Sequence, residues 1–370
     1  MKQYFNTILR RFTVFALLAM LFLPSNVWAQ FSLTPNDPLL SRQNYLKLIQ
    51  APEAWALASP RREVIVAVLD TGVDVNHPDL KDALWRNVRE IPGDGLDNDG
   101  NGFIDDLNGW DFVTNTGDPS PKFTPDANPG GIHHGTLVAG IIAARGNNGI
   151  GIAGINWTAK IMSIRLLNGS GYGVTDKVDD AIRYAVKMGA NVINLSFTSD
   201  TPSKDIEAAI AFAYAHDVVV VTAAGNDLFG NGVDLAKHPI HPACADGGGS
   251  ANAIITVAAT DENDHKTSFS NFGQGCVDIS APGENIFGAQ VVLSSQPGYE
   301  EAYASGWSGT SVSAPMVAGA ASLIMAHMPN IGAREVVEII RSTADPIDNL
   351  NPLYVGKLGA GRLNVAAAVA

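Results

Sequence analysis

The chain has 370 residues, 46% hydrophobic and 16% charged, with a formal net charge of -13. That is ample apolar material for one large α/β core and excludes a disordered chain. The acidic balance disfavours a nucleic-acid partner and favours metal cations, and no stretch is basic enough for a phosphate-binding face.

At the N-terminus, Lys2, Arg10 and Arg11 precede an apolar run from Phe12 to Leu23, then Pro24 and the small-residue pattern Val27-Trp28-Ala29. This predicts a secretory signal over residues 1–29, cleaved after Ala29, and hence a secreted chain with no stable membrane association. The run is short for a bilayer span, and no other segment reaches that length. Losing those three positive charges takes the net charge from -13 to -16. Two cysteines are present, Cys244 and Cys276. In an exported protein they either close a loop of about 30 residues, worth on the order of 3 kcal/mol, or stay as two buried thiols.

From Phe31 to Ala58 the composition reads as a surface arm, with turn residues at Thr34 to Pro38 and a short helix opening at Gln50. Val64 to Leu69 is an unbroken apolar run of strand length, which predicts a central parallel strand buried on both faces. It ends in Asp70-Thr71-Gly72, placing a carboxylate at the edge where α/β sheets hold their ligands. Residues 94–111 are acidic and glycine-rich. Asp97, Asp99, Asn101 and Asp105 stand at positions 1, 3, 5 and 9 of an EF-hand-like loop, with Gly102 at 6 and Phe103 supplying a carbonyl. Asn108 occupies the position of the usual bidentate glutamate, so the loop reads as a calcium site of altered form or as a solvated acidic turn.

His134-Gly135-Thr136 opens a run of small and apolar residues through Ala144, predicting a closely packed helix with His134 at its start and His133 as a competing candidate. A strand from Lys160 to Leu166 leads to the open stretch Gly169-Ser170-Gly171. A helix from Asp176 to Met188 feeds the strand Val192 to Ser196, and a helix from Lys204 to Ala215 feeds Val218 to Thr222. That last strand runs into Ala224-Gly225-Asn226, where an amide again stands at a strand's carboxyl end. Two shorter strands follow at 253–259 and 276–280. The alternation predicts an α/β fold with a doubly wound, mostly parallel central sheet flanked by helices. Finally, Ser308 to Pro315 precedes an apolar run to Met325, predicting a buried helix with hydroxyl residues at its N-cap and Pro315 near its first turn. Ser311 then lies at a helix N-terminus, where free amides face any negative charge beside its hydroxyl.

Asp70, His134, Asn226 and Ser311 thus mark strand or helix ends at one sheet edge, the set that acyl transfer through a serine nucleophile requires. The motifs Asp70-Thr71-Gly72, His134 to Gly140, Ala224-Gly225-Asn226 and Gly309 to Pro315 resemble those of the subtilisin family of serine proteases, the subtilases. The likeness extends over nearly all of Thr34 to Val369 and implies one catalytic domain over residues 30–370. It further implies Ser311 as nucleophile, His134 as general base and acid, Asp70 as its orienting carboxylate, and Asn226 in the oxyanion hole. Gly169, Ser170 and Gly171, with Leu195, Ser196 and Phe197, resemble the two edge segments that hold an extended peptide by strand addition. Phe197-Thr198 stands where many members have Leu-Gly. Asp79 with Asn148, Ile150 and Ile152 is similar to a family calcium site, and a thermitase-like arm would add Asp37. Cys244 and Cys276 resemble one disulfide of the aqualysin branch. No room is expected for the prosegment that most members carry.

The expectation is a secreted, calcium-stabilised, monomeric serine endopeptidase acting on polypeptides. A catalytically silent binding protein of the same fold is the competing reading. Carboxyl peptidases that share the Gly-Thr-Ser stretch use a glutamate base, which His134 excludes.

Overall fold

The apolar runs form the strands of a parallel sheet in which successive residues serve opposite faces. The computed structural model describes residues 33–125, 127–173, 175–227, 229–245 and 253–370; the expected leader, 1–29, lies outside them. The strands are β1 (Ile65–Asp70), β2 (Gly109–Asp111), β3 (Lys160–Arg165), β4 (Val192–Leu195), β5 (Val219–Ala223), β6 (Ile255–Thr260) and β7 (Ile279–Pro282). All neighbours pair in parallel, in the order β2-β3-β1-β4-β5-β6-β7. An antiparallel ribbon, β8 (Ile286–Ala289) with β9 (Tyr303–Trp307), was not expected from the sequence.

The helices are α1 (Asn44–Leu48), α2 (Ala51–Leu57), α3 (Pro129–Ala143), α4 (Val178–Lys187), α5 (Lys204–Ala215), α6 (Thr310–His327), α7 (Ala333–Ser342) and α8 (Val365–Val369). On one face of the sheet, Val66, Val68, Val192 and Val221 share a core with the apolar residues of α3 and α6. On the other, Ala67, Leu69, Ile193 and Leu195 pack with α4 and α5. Helices therefore cover both faces, as burial of an all-parallel sheet demands. Among the described residues, no helix is long and apolar enough to cross a membrane.

Three local expectations change. The arm is part of the core, because α1, α2 and the turn between them place Tyr45, Leu46, Ile49, Ala54 and Trp55 inward, and Trp55 Nε1 donates to the Ile155 carbonyl at 2.9 Å. Helix α3 begins one turn before the apolar run, capped by Asn128 Oδ1, which accepts from Gly131 N at 2.9 Å, with Pro129 at its first position. His134 thus lies in the second turn. Helix α6 has Gly309 as N-cap with no side-chain cap bond, and Pro315 lies inside the helix. Proline has no N–H to give the carbonyl four residues back; the Ser311 carbonyl accepts from Ser196 Oγ at 2.9 Å. Cys244 and Cys276 are disulfide-bonded, tying the region after β5 to the approach to β7.

Candidate active site

Asp70 is the last residue of β1, fully buried, and its Oδ1 accepts from the Thr71 amide at 2.7 Å. His134 Nδ1 lies 2.8 Å from Asp70 Oδ1 and 2.9 Å from Oδ2. A carboxylate only accepts, so Nδ1 carries the proton and Nε2 is left as the basic nitrogen. The approach is backbone on backbone: a Cβ on Gly135 would stand 2.2 Å from the Gly72 carbonyl oxygen, and the Gly135 amide donates to Thr71 Oγ1 at 3.1 Å. Burial alone would lower the His134 pKa; the charge of Asp70 and its hydrogen bond outweigh burial and raise it above the ordinary imidazole value. His133 is a different kind of residue. Buried against Tyr299 and Trp307, with Nδ1 accepting from the Val291 amide at 3.0 Å, it is pushed down to about 4 by burial and stays neutral.

Asn226 follows β5. Its Oδ1 accepts from the Thr310 amide at 2.9 Å and from Thr310 Oγ1 at 3.2 Å, so Nδ2 is directed away from the helix. Thr310 Oγ1 in turn accepts from the Gly225 amide at 3.0 Å. Every residue of α6 except Ser311 and His327 is buried, which leaves Ser311 facing the sheet edge. As the second residue of the helix it has no intrahelical acceptor for its own amide. Gly309, at φ 151°, has no side chain to fill the space beside it: a Cβ there would lie 3.1 Å from Ser311 Oγ and 3.5 Å from Asn226 Nδ2. Hydroxyl, helix amide and side-chain amide thus border one small volume.

Adjacent strands bring these groups to one rim. Asp70 ends β1, Ser196 just past β4 holds the Ser311 carbonyl, Asn226 past β5 holds Thr310, and β1, β4 and β5 are neighbours about 4.8 Å apart. Among the described residues, no hydrogen bond joins the Ser311 hydroxyl to the His134 ring; such bonds commonly tighten only with substrate bound.

The expected edge segments lie beside this rim. The Gly169-Ser170-Gly171 turn is shaped by Asn168 Oδ1, which accepts from the Ser170 and Tyr172 amides at 2.9 and 3.0 Å. Leu195 is buried, the Ser196 side chain is turned beneath Ser311, and Phe197 and Gly171 line a pocket of about 200 Å³ with Leu167, Tyr172, Val178 and His241.

Of the expected metal ligands, Asp97 and Asp99 converge with Glu90, their oxygens within 4.8 Å of one another. Sequence spacing missed Glu90, which lies seven residues before the loop's first position and is buried. Asp105 is used otherwise, its carboxylate accepting the Gly93 and Gly95 amides, and Asn101 donates to Asp106 Oδ2. Phe103 packs edge-on to Trp110 and Tyr184. Arg89 meets Asp99, one cation against three carboxylates, so the donor set fits a hard cation with oxygen ligands. At the second position, Asp79 accepts from Asn148 Nδ2, the Ile152 amide and Tyr303 Oη, and burial raises its carboxyl pKa. Asp37 accepts from the Asn147 and Asn148 amides, and the Ile150 amide donates to Asn148 Oδ1. Donors reach both positions, since Glu90 accepts the Asn98, Asp99 and Asp105 amides and Asp97 those of Asn101 and Gly102; what sets the acidic loop apart is three carboxylates within 4.8 Å of one another.

Three comparisons accord with this geometry. A family model described as the subtilase family matches residues 61–361. Thermitase of Thermoactinomyces vulgaris is 37% identical over 337 residues, covering 91% of this chain and 99% of its own. Subtilisin Savinase of Lederbergia lenta is 34% identical over 320 residues, covering 86% and 96%. A solved structure of proteases from Pseudoalteromonas arctica PAMC 21717 superposes with a TM-score of 0.68 at 29% identity, covering 91% of this chain and 98% of the other.

The raised His134 pKa sets a sign. Below it the ring is protonated and cannot accept, so any turnover that uses His134 as a base rises with pH through a midpoint above the ordinary 6.5. A pH–rate profile of kcat/KM checks this, and a midpoint below 6.5 would contradict it; removing the Asp70 charge with Asp70→Asn should move the midpoint down.

Proposed function

The chain belongs to the subtilase family and is a serine-type endopeptidase; from that premise we propose that it cleaves polypeptides through an acyl-enzyme on Ser311. The observation that carries the reading is the pinned amide of Asn226. With its oxygen occupied by Thr310, its Nδ2 faces the space that Gly309 leaves open beside Ser311 Oγ. In the proposed mechanism Ser311 Oγ attacks the scissile carbonyl and its proton passes to His134 Nε2. Asp70 holds the other ring nitrogen and stabilises the imidazolium. The developing oxyanion accepts from Asn226 Nδ2 and the Ser311 amide. His134 then gives the proton to the leaving amine, and a water, deprotonated by the same nitrogen, releases the acid.

The peptide would lie extended between Gly169–Gly171 and Leu195–Phe197, adding a strand, with one apolar side chain in the pocket beside Phe197 and Tyr172. Export is proposed from the leader pattern at residues 1–29 alone. Calcium is proposed at Glu90, Asp97 and Asp99, where it would neutralise three mutually repelling carboxylates. That site is wired to the fold. Asn87 Nδ2 donates to Asp99 Oδ2 at 3.1 Å and to Asp106 Oδ1 at 2.7 Å, and Asp106 accepts from Tyr184 Oη of α4 at 2.6 Å.

Two measurements test the reading. A serine-directed fluorophosphonate should label wild-type protein at Ser311, and Ser311→Ala should abolish casein hydrolysis; the triad loss known for subtilisin itself is about 10⁶-fold in kcat. Peptide binding without labelling or turnover would favour the silent alternative. Chelation by EDTA should lower the melting temperature by about several degrees, the scale of a ligand present well above its Kd. Glu90→Gln should reduce that shift, and a melt indifferent to EDTA would remove the calcium proposal.

A further inference from the structure

We infer that Ser196, carried on Asn194, is a positioning residue for the nucleophile, replacing the backbone restraint that Pro315 removes. The inference rests on the reading of Ser311 as the attacking residue. In an unbroken helix the Ser311 carbonyl would accept from the amide of residue 315. Proline lacks that amide, and a proline ring crowds the carbonyl four residues back. That carbonyl accepts from Ser196 Oγ at 2.9 Å.

The hydroxyl's single proton is thereby committed, so Ser196 Oγ can only accept from its other neighbour, Asn194 Nδ2, at 2.9 Å. The chain of donors therefore runs one way, from Asn194 through Ser196 to Ser311. Asn194 is fully buried on β4, on the face that Val192 shares with Val68 and Val221, where an apolar side chain would be the ordinary occupant. Its Oδ1 has no hydrogen-bond partner among the described residues. A half-satisfied amide on an apolar face is unfavourable in itself, and the donor it gives to Ser196 is the compensation that the contacts disclose.

Ser311 is consequently gripped from both sides. Asn226, beyond β5, holds the Thr310 amide that precedes it, and Ser196, beyond β4, holds its own carbonyl. The Ser196 bond holds the peptide plane between Ser311 and Val312, and the Asn226 bond holds the plane between Gly309 and Thr310, so the backbone is restrained on both sides of the Ser311 Cα–Cβ bond. Displacement of about 1 Å at such a centre is worth about 10²-fold in rate. Ser196 also belongs to the segment expected to bind the peptide, so a substrate-binding role and a positioning role must be told apart. The first appears in KM, the second in kcat.

The test compares wild type, Ser196→Ala, Ser196→Thr, Pro315→Ala and the double variant Ser196→Ala/Pro315→Ala by steady-state hydrolysis of a peptide substrate, with fluorophosphonate labelling of Ser311 in parallel. Ser196→Ala should lose about 10- to 100-fold in kcat with little change in KM. Ser196→Thr, which keeps the hydroxyl, should retain most of the rate. With Pro315→Ala the helix regains an amide facing the Ser311 carbonyl, so the same Ser196→Ala change should lose only about threefold or less there. An undiminished kcat in Ser196→Ala, a loss confined to KM, or an equal loss in both backgrounds would overturn the inference. Should Ser196→Ala fail to fold, recovery of a folded, active protein in the double variant supports the inference, and no recovery overturns it. Wild-type protein that hydrolyses peptide yet is not labelled at Ser311 would instead defeat the underlying reading, and this inference with it.

Discussion

The hydrogen bonds from the Thr310 amide and hydroxyl to Asn226 Oδ1 are the constraint on which the site depends. They join the carboxyl end of β5 to the N-terminus of α6, two features that a parallel sheet and its covering helix bring near each other but do not by themselves hold in register. The same contact that closes the join orients the asparagine, because an amide whose oxygen is occupied can only present its nitrogen elsewhere. Structure and chemistry therefore share one pair of bonds.

A second constraint is how closely α3 meets the end of β1. Gly135 against Gly72 lets the two backbones touch, and the ring of His134 consequently reaches a fully buried carboxylate. The Asp70 charge overcomes the burial that would otherwise keep the imidazole neutral to lower pH. His133, its neighbour in sequence, has no carboxylate partner among the described residues and shows the opposite outcome, with burial unopposed. The contrast between two adjacent histidines is electrostatic, set by which one the helix turns toward β1. Elsewhere the acidic loop gathers like charges that the fold offsets with Arg89 and with the Asn87, Asp106 and Tyr184 network. Tyr184 donates to a carboxylate, and both burial and that carboxylate hold its hydroxyl well above the ordinary range.

Central strands were legible because a both-faces-buried strand has an unbroken apolar signature, and Val64 to Leu69 and Val218 to Thr222 carry it, whereas the three-residue edge strand β2 lies inside the stretch that reads as an acidic loop. The four polar groups were legible because each stands in a short motif whose spacing has a mechanical reason, although His134 falls in the second turn of α3 and not at its start. What was not legible depends on contacts between distant segments. The start of α3 reads as loop because Pro129-Gly130-Gly131 lacks apolar periodicity, yet proline at the first helical position and the Asn128 cap suffice. The arm reads as surface until α1 and α2 set its aromatic and aliphatic residues on one side. Glu90 is invisible to an EF-hand spacing because it enters the acidic loop from outside it, and the Ser196 side chain acts through a carbonyl that only the position of Pro315 makes available.

The most direct measurement is a crystal structure with a peptide boronate bound, since boron forms a tetrahedral adduct with the serine that attacks. The account predicts a covalent bond to Ser311 Oγ, one boronate oxygen about 2.7–3.1 Å from both Asn226 Nδ2 and the Ser311 amide, and His134 Nε2 in hydrogen-bonding reach of the adduct. A boronate bonded to another residue, or one on Ser311 whose oxygens avoid Asn226, would contradict it.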